Sequence, residues 1–170
     1  MKAFSQRYCI VGVGQTKYGK VPGMSQMAHN VGAIRAAIED AGLTKDDIDG
    51  VLTKAPTSTF PMLWAPKVAE ALRIPPRVTG TLDQAGASNI GLIQYAISCL
   101  ELGQANYIAI SYGDNPRSGT RSTYAKPRGD DAISGVFGAP SSYAMIARRH
   151  MYEYGTTHEQ LANVAMTHRH

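Results

Sequence analysis

Cysteine is nearly missing from this sequence. There are two among 170 residues, Cys9 and Cys99, and no Cys-x-x-Cys pair. That excludes a zinc ribbon, a dithiol redox motif and a disulfide framework. Each cysteine lies in an apolar stretch, so both are expected to be buried thiols acting as small hydrophobes, and a reducing, cytoplasmic location fits them. No apolar run approaches the roughly 18 residues of a membrane span. The start, Met1 to Gly14, has no long apolar core of the kind a signal peptide needs, and a membrane span and a leader are therefore not expected. Charge is sparse too. Charged residues are 18% of the chain and the net charge is +4. The basic residues are scattered, with no Lys/Arg run and no aromatic-basic ladder, and nucleic acid is not an expected partner. The modest positive balance suits an anionic small molecule or simply a solvated surface.

Several chemistry-bearing motifs are also lacking. There is no Gly-x-Ser-x-Gly elbow. Gly14-Gln-Thr-Lys-Tyr-Gly-Lys20 opens like a phosphate-binding loop, but Val21 stands where Ser or Thr would hold magnesium. Gly12-Val-Gly14 has Lys17 where the dinucleotide fingerprint needs its third glycine. His158, His168 and His170 have no cysteine or carboxylate cluster beside them, and the last two point to different sides of a helix, so no metal is expected. His150, beside Arg148 and Arg149, reads as a solvated helix face in preference to an anion contact.

What is present is a regular alternation. Tyr8 to Gly14 is a short Val/Ile run ending at glycine, expected as a buried parallel strand. Met27, Val31, Ile34, Ile38 and Ala41 recur at helical spacing, with Ser25 as N-cap and Gly42 as stop. Thr44 to Asp47 resembles a capping box. Strands are expected at Gly50–Thr53, Val78–Leu82 and Tyr107–Ser111. A short helix is expected over Leu63–Leu72, ended by Pro75-Pro76. Gln84 to Gly103 has almost no polar face, which predicts a core helix covered on every side. A long Gly-, Ser- and Arg-rich connection runs from Gly113 to Gly138. Helices are expected at Ser141–Tyr154, with Tyr143, Ile146, Ala147 and Met151 on one face, and after the capping box Thr157–Gln160. The order predicts an α/β fold with a mainly parallel sheet. It divides at 1–112, an α/β core, and 113–170, a second segment. Asp114 and Asn115 follow a strand end, where open α/β sheets place ligands.

Four of these segments resemble one family. Ile10-Val-Gly-Val-Gly-Gln-Thr-Lys-Tyr-Gly19, Ala36 to Val51, Gly86-Ala-Ser88 and Tyr143 to Gly155, with Thr157 to Ala165, are similar to the sterol-carrier-protein-x-like branch of the thiolase superfamily, which includes acetyl-CoA acetyltransferases. The likeness runs along essentially the whole chain. It implies a fold of two similar halves whose sheets sandwich central helices, and a coenzyme A thioester as substrate, with no covalently bound cofactor. In that family a cysteine thiolate at the start of the central helix takes the acyl group. Here Gly86 occupies that position, and glycine forms no thioester. Ser88 is the nearest hydroxyl, with no base evident beside it. The resemblance implies that Gly86, Ala87, Ser88 and Asn89 form a pocket floor and that Asp114 and Asn115 line a wall. Some cysteine-less relatives resemble aldolases acting on steroid or fatty acyl-CoA side chains. The family's second half, with its catalytic histidine, is not in this sequence. That leaves two expectations open: an acyltransferase or cysteine-independent aldolase, or a non-catalytic subunit needing a partner chain. The partner would be a second copy, a second thiolase-like half, or a small OB-fold protein.

Overall fold

The computed structural model describes residues 7–59, 61–118, 130, 133–136 and 138–169. The chain divides into two compact units, Met1–Arg121 and Ser122–His170. The first holds helix α1 (Gln26–Asp40), strand β1 (Gly50–Thr53), helix α2 (Trp64–Leu72), strand β2 (Val78–Thr81), helix α3 (Ser88–Glu101) and strand β3 (Ile108–Ser111). The second holds α4 (Gly138–Tyr154) and α5 (His158–Thr167).

The start and stop signals work as their chemistry dictates. Ser25 accepts the Ala28 amide and opens α1, and Gly42 leaves it at φ +67°. The Thr44/Asp47 and Thr157/Gln160 capping boxes are both formed. The three strands make one parallel sheet in the order β2-β1-β3. Adjacent residues of β1 point to opposite faces, and both are fully buried. Val51 packs with Ile34, Val68 and Leu72 from α1 and α2. Leu52 packs with Leu92, Ala96 and Cys99 from α3. A central strand buried on both faces explains why β1 carries no polar alternation.

Three expectations are corrected. The run Tyr8 to Gly14 is not a strand. Ile10, Val11 and Val13 are exposed (76%, 53% and 76%), and no described strand pairs with them. The segment instead lies against α1. A Cβ on Gly12 would sit 2.2 Å from the Ala37 carbonyl oxygen, and one on Gly14 2.1 Å from that of Ala33. The Val13 amide donates to the Asp40 carboxylate at 2.8 Å, where a sheet ladder would otherwise receive it. Cys9, in the same run, is exposed, while Cys99 is buried. Finally, α3 is not covered all round among the described residues. Leu92, Ala96 and Cys99 face the sheet, whereas Ile90, Tyr95 and Leu102 are 62%, 44% and 72% exposed. An apolar residue pattern marks a surface fit for burial, and only a second layer of protein completes it.

In the second unit α4 and α5 bury no described residue. Tyr143 and Ile146 are exposed. His150 bonds Thr156 at 2.8 Å and lies against the Tyr154 ring. Arg149 pairs with Glu153 one turn on. Among the described residues, neither His158 nor His168 belongs to a cluster of three or more His, Cys, Asp or Glu side chains that could hold a metal; His170 lies outside them. Most of the Gly113–Gly138 connection also lies outside them. No described helix is long and apolar enough to cross a membrane.

Candidate functional site

The carboxyl edge of the sheet gathers the chemistry. The helix after β1 packs on one face and the helix after β2 on the other, although β1 and β2 are neighbours. Connections that leave adjacent parallel strands toward opposite faces open a crevice between them, where α/β proteins bind ligands.

Each strand delivers one functional side chain to this edge. Lys54 follows β1, Asp83 comes two residues after β2, and Tyr112 follows β3. The Lys54 side chain is only 7% exposed, and its Nζ lies 3.2 Å from Asp83 Oδ1. The Tyr112 ring centroid is 5.1 Å from the same ammonium. Asp83 also accepts the Ala85 amide at 2.9 Å. That amide bond is the main reason the Asp83 carboxyl is held below the ordinary carboxylate range; burial opposes the shift, while Lys54 and Ser88 reinforce it. Sequence reasoning missed Lys54 and Asp83. The available signal was their position directly after expected strands.

The start of α3 is a sharp turn. Ala85 takes φ +50°, an unusual left-handed conformation for a residue with a Cβ. The Ser88 hydroxyl accepts the Gln84 amide and donates to the Ala85 carbonyl, both at 2.8 Å. Ser88 is buried and its hydroxyl is thus committed to the turn. Gly86, Ala87 and Asn89 are exposed, and nothing lies within 4 Å of where a Gly86 Cβ would stand.

Asp114 organises the neighbouring loop. It accepts the Thr57 amide and hydroxyl at 2.9 Å, the Ser58 amide at 3.2 Å and the Ser58 hydroxyl. Burial alone would push its carboxyl up, but the hydroxyls of Ser58 and Thr57 and the amides of Asn115 and Ser58 together hold it below the ordinary range. Asn115 donates to the Met24 carbonyl at 2.8 Å, while its buried Oδ1 has no hydrogen-bond partner in the described structure. Asn115 lines a cleft of about 350 Å³ with Ser25, Ser58 and Ser118. Asp114 lines a second, of about 340 Å³, with Thr16, Lys17, His29 and Tyr112. Gly86 to Asn89 line neither. Among the described residues, Asp83, Lys54 and Tyr112 lie between the two sequence-predicted groups.

One stability prediction arises here. A carboxylate with a depressed folded pKa stabilises the fold above its unfolded value, near pH 4, and loses that contribution as pH falls through the folded pKa. Asp114→Ala is expected to lower stability by about 2 kcal/mol at neutral pH, since charge-assisted bonds are lost. Urea titrations from pH 7 to pH 2 should show the gap to wild type closing at the acid end. A gap that stays constant to pH 2 would contradict this account.

No family profile matches the chain. Its fold nevertheless has clear counterparts: this is a thiolase-like fold. The chain is 32% identical to the steroid side-chain-cleaving aldolase of Thermomonospora curvata over 94% of its own length and 43% of that protein's. It is 30% identical to the acetyl-CoA acetyltransferase of Methanothermobacter thermautotrophicus over 92% and 43%. Among solved structures, the Ltp2-ChsH2(DUF35) aldolase superposes with a TM-score of 0.68 at 31% identity, over 87% of this chain and 38% of that one. A priming β-ketosynthase of the R1128 polyketide pathway shares the fold alone, at 17% identity and a TM-score of 0.56. The chain spans less than half the length of the curated relatives it matches.

Proposed function

We propose that this chain is the first part of a thiolase-like protein that binds coenzyme A thioesters and makes or breaks carbon–carbon bonds without an acyl-enzyme. Gly86 carries the reading. It stands exposed at the start of the central helix, where the family resemblance puts the nucleophile, and it offers no group to acylate. An aldol-type reaction needs no such group; it needs donors for the thioester carbonyl oxygen, and backbone amides at a helix start supply them. Likeness to both an aldolase and an acetyltransferase supports the acyl-CoA class of substrate.

The test uses the full-length polypeptide that contains this chain. Calorimetry with acetyl-CoA and propionyl-CoA should show binding, and mass spectrometry after incubation should show no added acyl group. An acylated protein would overturn the mechanism, and absence of binding would overturn the substrate class.

Gly86→Cys provides a second check. The site has room for a side chain, and a helix N-terminus lowers a thiol pKa by about one unit or more. In a Cys9→Ser background, iodoacetamide at pH 7 should alkylate the new thiol about tenfold faster than it alkylates Cys9 in the parent, because one pKa unit is about tenfold in thiolate there. Equal rates would show that the turn does not present residue 86 to the helix dipole.

A second reading has its own support. Helix α3 leaves Ile90, Tyr95 and Leu102 exposed on its outer side and flank, and exposed apolar surface can mark an interface. On that reading the chain is a subunit completed by a second copy, a second thiolase-like half or a small OB-fold partner. The similar solved structure carries two components in its name, Ltp2 and ChsH2(DUF35). Native mass spectrometry of the protein from its source separates the readings.

A further inference from the structure

Among the described residues, Lys54 carries a buried ammonium. Lysine is almost never fully buried without a partner, and this one is at the centre of the carboxyl edge with 7% of its side chain exposed. Its contacts are few and directional: Asp83 at 3.2 Å, the face of Tyr112, and its neighbour Ala55's carbonyl at a marginal 3.5 Å. Asp83 in turn faces both ways. Its Oδ1 receives Lys54 and also the amide of Ala85, the one residue of the turn with a left-handed backbone. A non-glycine residue in that region carries strain, and it persists only where surrounding contacts over-determine it. The contacts that do so here are Asp83 on the Ala85 amide and Ser88 on the Ala85 carbonyl.

The chain of force is therefore explicit. Strand β1 holds Lys54, Lys54 holds Asp83, Asp83 holds the Ala85 amide, and the next residue is Gly86. No side chain caps α3 itself, so the direction of its first amides depends on this turn. We propose that Lys54 and Asp83 are positioning residues that hold the Ala85 turn and thereby aim the backbone amide of Gly86 toward the carbonyl oxygen of a bound thioester; the Ala87 amide closes the turn itself, on the Gln84 carbonyl at 3.1 Å. This rests on the reading of the Gly86 turn as the thioester site. Neither residue touches the reacting atoms. Their effect is felt through turnover more than through binding, because an aimed donor acts most strongly where charge develops.

The experiment compares Lys54→Met, Lys54→Arg and Asp83→Asn in the full-length polypeptide. Methionine fills the buried space without charge, and replacing a buried ion by an apolar group of similar volume is often tolerated. Amide hydrogen exchange reads the turn without any need for activity. In Lys54→Met the Ala85 amide should exchange at least tenfold faster while Val51 and Leu52 keep their wild-type rates. Lys54→Arg should restore protection to within threefold. With a CoA thioester that wild type turns over, Lys54→Met should lose at least tenfold in kcat with KM within threefold. Unchanged exchange at Ala85 in both Lys54→Met and Asp83→Asn would overturn the latch. Faster exchange with unchanged kcat would overturn its positioning role. If Lys54→Met does not fold, Asp83→Asn carries the same two readouts. Should wild type bind no CoA thioester, the thioester assignment falls, while the exchange data still decide whether the latch exists.

Discussion

Leu92→Ala is expected to destabilise the first unit by about 4 kcal/mol, read as a shift of the urea midpoint. Leu92 has no exposed surface and packs with Leu52, Val78, Ala96 and Cys99. Removing three heavy atoms costs their transfer energy and leaves a cavity that the small neighbours Ala96 and Cys99 cannot fill. Leu92→Met keeps the volume and should cost less than about 1.5 kcal/mol. Ile90→Ala is the control. It lies two residues away on the exposed face (62%), and an exposed substitution stays within about 0.5 kcal/mol. If Ile90→Ala proved as costly as Leu92→Ala, a hidden layer of protein would be covering that face. On the proposed function, activity depends on this packing, because α3 carries the Gly86 turn at its start, and a helix loosened on the sheet would not hold that turn in place.

Asn30→Ala should cost about 3 kcal/mol. Asn30 is completely buried within α1. Its amide donates to the carbonyls of Gln26 at 2.8 Å and Gly113 at 3.1 Å, and its oxygen receives the Ser111 hydroxyl at 2.8 Å. Truncation orphans the buried Ser111 hydroxyl and the half-buried Gly113 carbonyl. Gly113 has little freedom to respond, since a Cβ there would meet His29 Cβ at 2.8 Å. Asn30→Leu restores the volume but not the bonds, and it should remain at least 2 kcal/mol below wild type for the cost of unsatisfied groups. Recovery of full stability in Asn30→Leu would show that packing, not hydrogen bonding, ties α1 to the end of β3. Gly113 leads directly into Asp114, so hydrogen exchange in the Thr57–Asn115 loops should rise in both variants.

Much of the fold was legible because its signals are local. Ser25, Gly42, Thr44, Thr157 and Gly155 end or begin helices through bonds to residues a few positions away, and such chemistry is complete within one turn of chain. The strands β1, β2 and β3 were legible for the same reason: short runs bounded by turn residues. Tyr8 to Gly14 shows where that reasoning ends. Its composition is that of a strand, yet a strand exists only when another backbone receives its hydrogen bonds, and a sequence does not say who the neighbour is. The apolar surround of α3 is a similar case. Its residues show that the helix is fit for burial on every side, not that the described residues supply every side.

At the candidate site, Gly86, Asp114 and Asn115 are sequence expectations: a family resemblance marks the first and a strand end marks the others. The sequence by itself determined most of the helix and strand segments and the parallel α/β class, since each follows from residue identity and short-range spacing. Only the tertiary structure decided that Lys54, Asp83 and Tyr112 meet. They lie on three different strand ends, and parallel strands bring distant stretches of chain side by side at one edge. Electrostatic partnership acts through a few ångströms of space, whatever the separation along the chain, and the pairing register of the sheet alone brings that distance about.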